Sequence, residues 1–213
     1  MRLEAANEDF AFVSVVTILI GNTARSHPAS AQRGEFVNIQ QRDDTTMRSF
    51  VAGPEDSSAV VLIVHDYFGI SDGTRESMER LGYRAMAINL YGGRSASTHE
   101  EAVKLMQGLE RKETDKVLQT GLDQLEKPGR KIATLGFSMG GQKALFANLM
   151  ATVIVYGFGF DKLETVGFRD CPVLVLSGAE DTGAVQTASG FLANMKSAAR
   201  QCEMFIYPGA DHS

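Results

Sequence analysis

Ile132-Ala133-Thr134-Leu135-Gly136-Phe137-Ser138-Met139-Gly140 decides how the rest of the chain is read. A short apolar run leads into G-x-S-x-G, and a helix-like segment, Gln142 to Leu149, follows. Strand, G-x-S-x-G, helix is the signature of a nucleophile elbow. A serine hydroxyl attacks well only when it is exposed, held near a base and set beside amide donors for an oxyanion. A tight strand-to-helix turn exposes it. Glycines two residues to either side leave room for the strained backbone, and the helix N-terminus favours negative charge near the Met139 amide. Taken alone, the pentapeptide also fits a Gly-rich turn around an inert serine. The partners decide.

With 213 residues, 44% of them apolar and 22% charged, the chain is long enough for one domain with a sizeable core. A net charge of −5 without a basic stretch argues against nucleic acid as a partner. Cys171 and Cys202 form no metal-ligand spacing, and they are expected to be structural thiols or a single disulfide. Phe10 to Ile20 is an apolar run too short to span a bilayer. It fits the h-region of a signal peptide with a cleavage site at Ala29-Ser30-Ala31, which implies a periplasmic or secreted protein. Glu4, Glu8 and Asp9 against a single Arg2 argue the other way, for a plain extension on a cytoplasmic protein. Residues 1–34 are therefore read as a signal peptide or an extension, and 35–213 as the domain.

From Glu35 onward strands and helices alternate. Phe36–Gln40 and Thr46–Val51 flank Arg42-Asp43-Asp44 as a hairpin. Ala59–Val64 is a continuous apolar run, expected of a strand buried on both faces. Further strands are expected at Arg84–Asn89, Lys131–Leu135, Thr152–Tyr156, Pro172–Leu176 and Glu203–Tyr207. Helices are expected at Ser71–Leu81 with Ser71 or Asp72 as cap, Thr98–Leu109 with a Thr98/Glu101 capping box, Glu113–Glu126 and Ala184–Ala199. This order means a mostly parallel sheet with helices on both faces, and ligands beyond the C-terminal ends of its strands.

Any partner of Ser138 must then follow a strand, in the order serine, acid, histidine. Of the four histidines, His27 precedes the domain, His65 ends the first buried strand and His99 starts a helix. Only His212, after the last strand, fits the base. Pro172–Leu176 runs into Ser177-Gly178-Ala179-Glu180-Asp181, so Asp181 or Glu180 is the acid. Asp161 and Asp170 precede that strand, and Asp211 adjoins the histidine itself. The second oxyanion donor belongs on the loop His65-Asp66-Tyr67-Phe68-Gly69, where the Tyr67 amide would join that of Met139.

His65-Asp66-Tyr67-Phe68-Gly69, Asn89-Leu90-Tyr91, Gly136 to Gly141, Tyr156-Gly157, Ser177 to Asp181 and Tyr207 to His212 together resemble the dienelactone hydrolase family of α/β-hydrolases. The resemblance runs from about Val60 to the last residue. It implies the α/β-hydrolase fold and hydrolysis of a small ester or lactone through an acyl-enzyme, with no metal or organic cofactor. By position Ser138 would be the nucleophile, Asp181 the orienting acid and His212 the base, with oxyanion amides from Tyr67 and Met139. The best-known members carry cysteine where Ser138 stands, and where Asp66 stands a glutamate that interacts with the thiol. They also continue past the histidine with a closing helix and a substrate-binding arginine, so a C-terminally truncated domain lacking that helix is expected here.

Tyr67, Phe68, Tyr91, Phe158 and Phe160 stand on loops at the active end, some of them expected to line an apolar pocket with Asp66 nearby. Arg94 and His99 either face a substrate carboxylate or form solvated surface. A competing function keeps the fold without turnover, as a binding or signalling module. A nucleotide-binding domain fits poorly, because the first buried strand ends without a Gly-rich phosphate loop.

Overall fold

A computed structural model describes residues 33–80, 83–147, 151–160 and 171–212. In chain order the strands are β1 Glu35–Gln40, β2 Thr46–Ala52, β3 Ala59–Val64, β4 Arg84–Ile88, β5 Lys131–Phe137, β6 Thr152–Val155, β7 Val173–Gly178 and β8 Cys202–Tyr207. The helices are α1 Asp72–Arg80, α2 His99–Gln107, α3 Arg111–Leu125, α4 Met139–Ala147 and α5 Thr182–Ser197. The apolar segment Phe10 to Ile20 with Ala29-Ser30-Ala31, the helix ends expected at Leu81 and Leu149, and Asp161 and Asp170 lie outside the described residues.

One eight-stranded sheet runs β1-β2-β4-β3-β5-β6-β7-β8. The β1–β2 hairpin joins it antiparallel at one edge, and β4, β3, β5, β6, β7 and β8 are parallel. The alternation within β3 explains its continuous apolar sequence. Leu62 and Val64 pack into one core with Ile88, Val117 and Leu118, while Ile63 packs into another with Met78, Ala87 and Leu135. The first core lies under α3 and the second under α1, so the sheet is covered from both sides. Leu145 of α4 and Phe191 of α5 extend the α3 side over Ile154 and Val175.

Chain direction reverses around β3. From β3 the chain moves to β4 on one side, and from β4 it crosses to β5 on the other. The helices that leave β3 and β5, α1 and α4, go to opposite faces of the sheet. Their divergence opens a crevice at the C-terminal ends of these two strands, the position where such sheets bind ligands.

Local chemistry sets the element ends. Ser71 caps α1, its Oγ accepting the Thr74 N–H at 3.2 Å. Thr98 Oγ1 accepts the Glu101 N–H at 3.2 Å, but the Glu101 carboxylate reaches back one residue further than a capping box requires, to the Ser97 N–H. The helix expected from Gln142 begins at Met139, because the turn before it consumes a single residue. Cys171 is buried, Cys202 is half-buried, and no disulfide joins them. Among the described residues no helix is long and apolar enough to cross a membrane.

Leu62 is fully buried in the central strand, between β4 and β5. Leu62→Ala is expected to lower unfolding free energy by about 2–5 kcal/mol. Urea denaturation checks this, and a loss below about 1 kcal/mol would show that β3 is not the core strand.

Candidate active site

Ser138 alone makes the turn from β5 to α4. Its φ is 51°, in the left-handed region that costs a non-glycine residue roughly 1–2 kcal/mol. Packing on both sides holds it there. The Ser138 N–H donates to the Val155 carbonyl at 3.0 Å, and its own carbonyl accepts the Gly141 N–H at 3.0 Å. A Cβ on Gly136 would sit 2.4 Å from the Gly140 carbonyl oxygen. One on Gly140 would sit 2.4 Å from the Val64 oxygen and 2.5 Å from that of His65. These glycines are needed because two backbones meet there with no room for a side chain.

Two strand ends deliver the other groups. Asp181 caps α5, its Oδ1 accepting the Ala184 N–H at 3.0 Å, which leaves Oδ2 for another donor. The segment after β8 folds against the segment after β7. The Ala179 N–H donates to the Tyr207 carbonyl and the Glu180 N–H to the Ala210 carbonyl, both at 2.9 Å. His212 thereby comes to lie between Asp181 and Ser138. Its Nδ1 is 2.5 Å from Asp181 Oδ2, and its Nε2 is 3.0 Å from Ser138 Oγ. A carboxylate only accepts, so Nδ1 carries the proton and Nε2 is left to accept from the serine hydroxyl. Ser138 and Asp181 are each 7% exposed, while His212 is half-buried. Of the two candidate acids it is Asp181 that meets the imidazole. Glu180 is exposed, and Asp211 accepts the His212 backbone N–H instead.

The loop after β3 faces the start of α4. Met139 is the first residue of that helix, so its N–H has no intrahelical acceptor. The Asp66 carbonyl accepts from His65 Nδ1 at 2.5 Å and from the Gly69 N–H at 3.3 Å. In a trans peptide the N–H points opposite to the carbonyl, so these two bonds fix the direction of the Tyr67 N–H. Asp66 Oδ1 accepts the Phe68 N–H at 2.8 Å. Loss of hydration raises the Asp66 pKa, an effect opposed by that hydrogen bond and by the nearby His212.

The other expected pocket residues divide. Phe158 lies at the site, its ring 4.7 Å from that of His212. Phe68 is half-buried against Tyr67. Tyr91 is buried behind the loop, with its hydroxyl on the Tyr67 carbonyl. Arg94 is exposed and donates from Nε to the Tyr91 carbonyl, and His99 Nδ1 meets the Tyr67 hydroxyl at 3.0 Å. Phe160 does not line the site. It is fully buried and packs edge-on against Phe191 of α5, because the chain has turned back into the core by that point.

Three contributors escaped the sequence reading of the site. Tyr156, at φ 42°, lays its ring 4.8 Å from that of His212. Burial and the Asp66 charge push its phenol up to about 12. Its place after β6 was the available signal. His65 is wholly buried, accepts the Leu90 N–H on Nε2 at 3.0 Å, and so ties the ends of β3 and β4. Asn89 Oδ1 accepts the N–H groups of Tyr91 and Gly93. No local pattern announces the His65 role, whereas the Asn89 bonds form a local turn of the kind asparagine favours. Among the described residues no cluster of His, Cys, Asp or Glu is arranged to hold a metal ion.

The sequence profile of the Dienelactone hydrolase family matches residues 47–213. The chain belongs to the dienelactone hydrolase family. It is 24% identical, over 80% of its own length and 85% of the relative's, to the "Putative carboxymethylenebutenolidase" of Saccharolobus solfataricus. Solved structures of the family superpose on it. The dienelactone hydrolase-like promiscuous phosphotriesterase P91 from metagenomic libraries gives a TM-score of 0.72 at 21% identity, covering 85% of this chain and 84% of that one. The dienelactone hydrolase of Anabaena variabilis gives 0.63 at 19%, covering 85% and 88%. At these identities the superpositions speak for the fold. The family assignment makes the chain a hydrolase-family protein.

His65 supplies a test of this local architecture. Burial pushes its pKa down from 6.5 to about 4, so the folded protein leaves it neutral where the unfolded chain binds a proton. Its contribution, about 3 kcal/mol, is present above pH 6.5 and lost as pH falls towards 4. Proton NMR should find the His65 imidazole still neutral at pH 5.5. Titration at or above 6.5 would contradict the buried, two-partner arrangement.

Proposed function

We propose that this protein is a serine hydrolase that cleaves a small ester or lactone through an acyl-enzyme on Ser138. The observation that carries the reading is the unbroken line from Ser138 Oγ to His212 Nε2, at 3.0 Å, and from His212 Nδ1 to Asp181 Oδ2, at 2.5 Å. Family membership supports hydrolysis, and the geometry supports serine as the attacking group.

In this reading the Ser138 oxygen bonds to the carbonyl carbon while its proton passes to His212 Nε2. The carbonyl π electrons move onto oxygen, and the amides of Met139 and Tyr67 receive that charge. Collapse of the tetrahedral adduct breaks the bond to the leaving oxygen, which takes the proton from His212. With a lactone that oxygen stays attached to the acyl group. Water then gives a proton to His212, attacks the acyl carbon, and releases the acid as the proton returns to Ser138 Oγ. Asp181 stays ionised throughout and holds the imidazole in the tautomer that accepts at Nε2. Phe158, Tyr156 and Phe68 suit a small apolar acyl or ring group.

Ser138→Ala should reduce turnover of short p-nitrophenyl esters by about 10⁴-fold or more and abolish labelling by a fluorophosphonate probe. Equal labelling of the wild type and this variant would refute the assignment, and an unlabelled, inactive wild type would favour a binding module.

Asp181→Asn separates the two roles of that side chain. Asparagine still caps α5 through its carbonyl oxygen, but its amide nitrogen cannot accept the Nδ1–H. Turnover should fall by about 10³–10⁴-fold with the melting temperature nearly unchanged. A cooperative loss of folding would show that capping is its main task.

A further inference from the structure

The peptide unit between Tyr67 and Phe68 is held at both of its polar ends. Its N–H donates to Asp66 Oδ1 at 2.8 Å, and its carbonyl accepts the Tyr91 hydroxyl at 3.1 Å. The same hydroxyl lies 3.6 Å from Met139 Sδ. A single buried phenol therefore touches both residues whose amides face the proposed oxyanion, one on the loop after β3 and one at the start of α4.

Tyr91 is built to be rigid. It is 3% exposed and belongs to the core that holds Leu62, Val64 and Met86. Its ring sits 4.9 Å from that of His65, whose Nδ1 fixes the neighbouring Asp66–Tyr67 peptide. Its backbone N–H is held by Asn89 Oδ1 at 2.8 Å. The phenol has one proton, and the carbonyl is the better acceptor, so the thioether is a packing contact.

We propose that Tyr91 is a positioning residue for acyl transfer, its hydroxyl anchoring the Tyr67 carbonyl and so, through the Tyr67 Cα, keeping the Tyr67 N–H in register with the Met139 N–H so that both meet one oxyanion. This rests on the serine-hydrolase reading of Ser138. Without the hydroxyl the Tyr67 carbonyl loses its partner and the Tyr67–Phe68 peptide is tethered at one end only. A shift of the Tyr67 Cα then tilts the adjoining Asp66–Tyr67 peptide about its remaining bonds from His65 Nδ1 and the Gly69 N–H, and the Tyr67 N–H leaves its best line. Misaiming a donor costs less than deleting it, so a loss of roughly tenfold is expected against 10²–10³ for removal. Burial and the nearby Asp66 charge keep the phenol protonated well above its ordinary range, so the shape of the pH profile should not change.

The test is Tyr91→Phe, assayed with p-nitrophenyl butyrate beside Ser138→Ala, with phenylboronic acid as a tetrahedral mimic. The variant should lose about tenfold in kcat with KM within about twofold, and bind the boronate about tenfold more weakly. Melting temperature should move by only a few degrees. Ser138-dependent turnover unchanged in Tyr91→Phe would overturn the proposal. So would a kcat loss with boronate affinity intact, or a loss that matches the fraction unfolded. Turnover that survives Ser138→Ala would overturn the serine-hydrolase reading, and this proposal with it.

Discussion

The contact between the start of α4 and the end of β3 governs the geometry of this molecule. Gly140 lies directly on the Val64 and His65 carbonyls, with no space for a methyl group. That approach forces β5 to end in a one-residue turn, which puts Ser138 in a left-handed conformation and projects its side chain over the strand ends. It also brings the first turn of α4 beside the loop that leaves β3. The serine, the free amides of the helix and the 65–70 loop thus share one crevice, at the point where α1 and α4 part to opposite faces. Ser138 bears strain that the hydrogen bonds to Val155 and Gly141 hold in place.

The remaining groups arrive from the other half of the sheet by a different device. β7 and β8 are parallel neighbours, so their C-terminal segments emerge side by side. Two backbone hydrogen bonds and a glycine that leaves room for the Ala210 carbonyl join those segments. Asp181 then serves the fold and the site at once, with one oxygen on the α5 N-terminus and the other on the imidazole. The helix cap limits the rotation of the carboxylate, so the oxygen facing His212 is set by the helix itself.

Most of the architecture could be read from residue order because its cause is local. β3 is apolar at consecutive positions since both of its faces are buried, and the elbow is spelled by glycines that backbone contact requires. Asp181 and His212 were legible through topology, since a parallel sheet gathers strand ends at one edge. Sequence left Glu180 and Asp181 open, and the α5 cap resolves the choice by turning Asp181 inward. Phe160 looked like a loop aromatic beside the site, yet the chain dives into the α5 core within two residues of Phe158. His65 and Tyr156 act through a hydrogen bond and a ring contact between residues distant in the chain, which spacing does not signal, whereas Asn89 works locally, closing a turn onto Tyr91 and Gly93 of the kind asparagine favours. The Leu90 N–H that meets His65 stands on another strand end, and nothing in the spacing of either residue signals the bond.

In the proposed reaction Ser138 Oγ carries the substrate's acyl group between two chemical steps. Acid quench of the protein during turnover of a p-nitrophenyl ester, followed by peptide mass mapping, tests this most directly. The predicted result is a mass increase equal to the acyl group on the peptide containing Ser138, appearing with a burst of nitrophenol and absent in Ser138→Ala. Steady turnover with the adduct on another residue, or a burst of nitrophenol with no adduct on the Ser138 peptide, would contradict it.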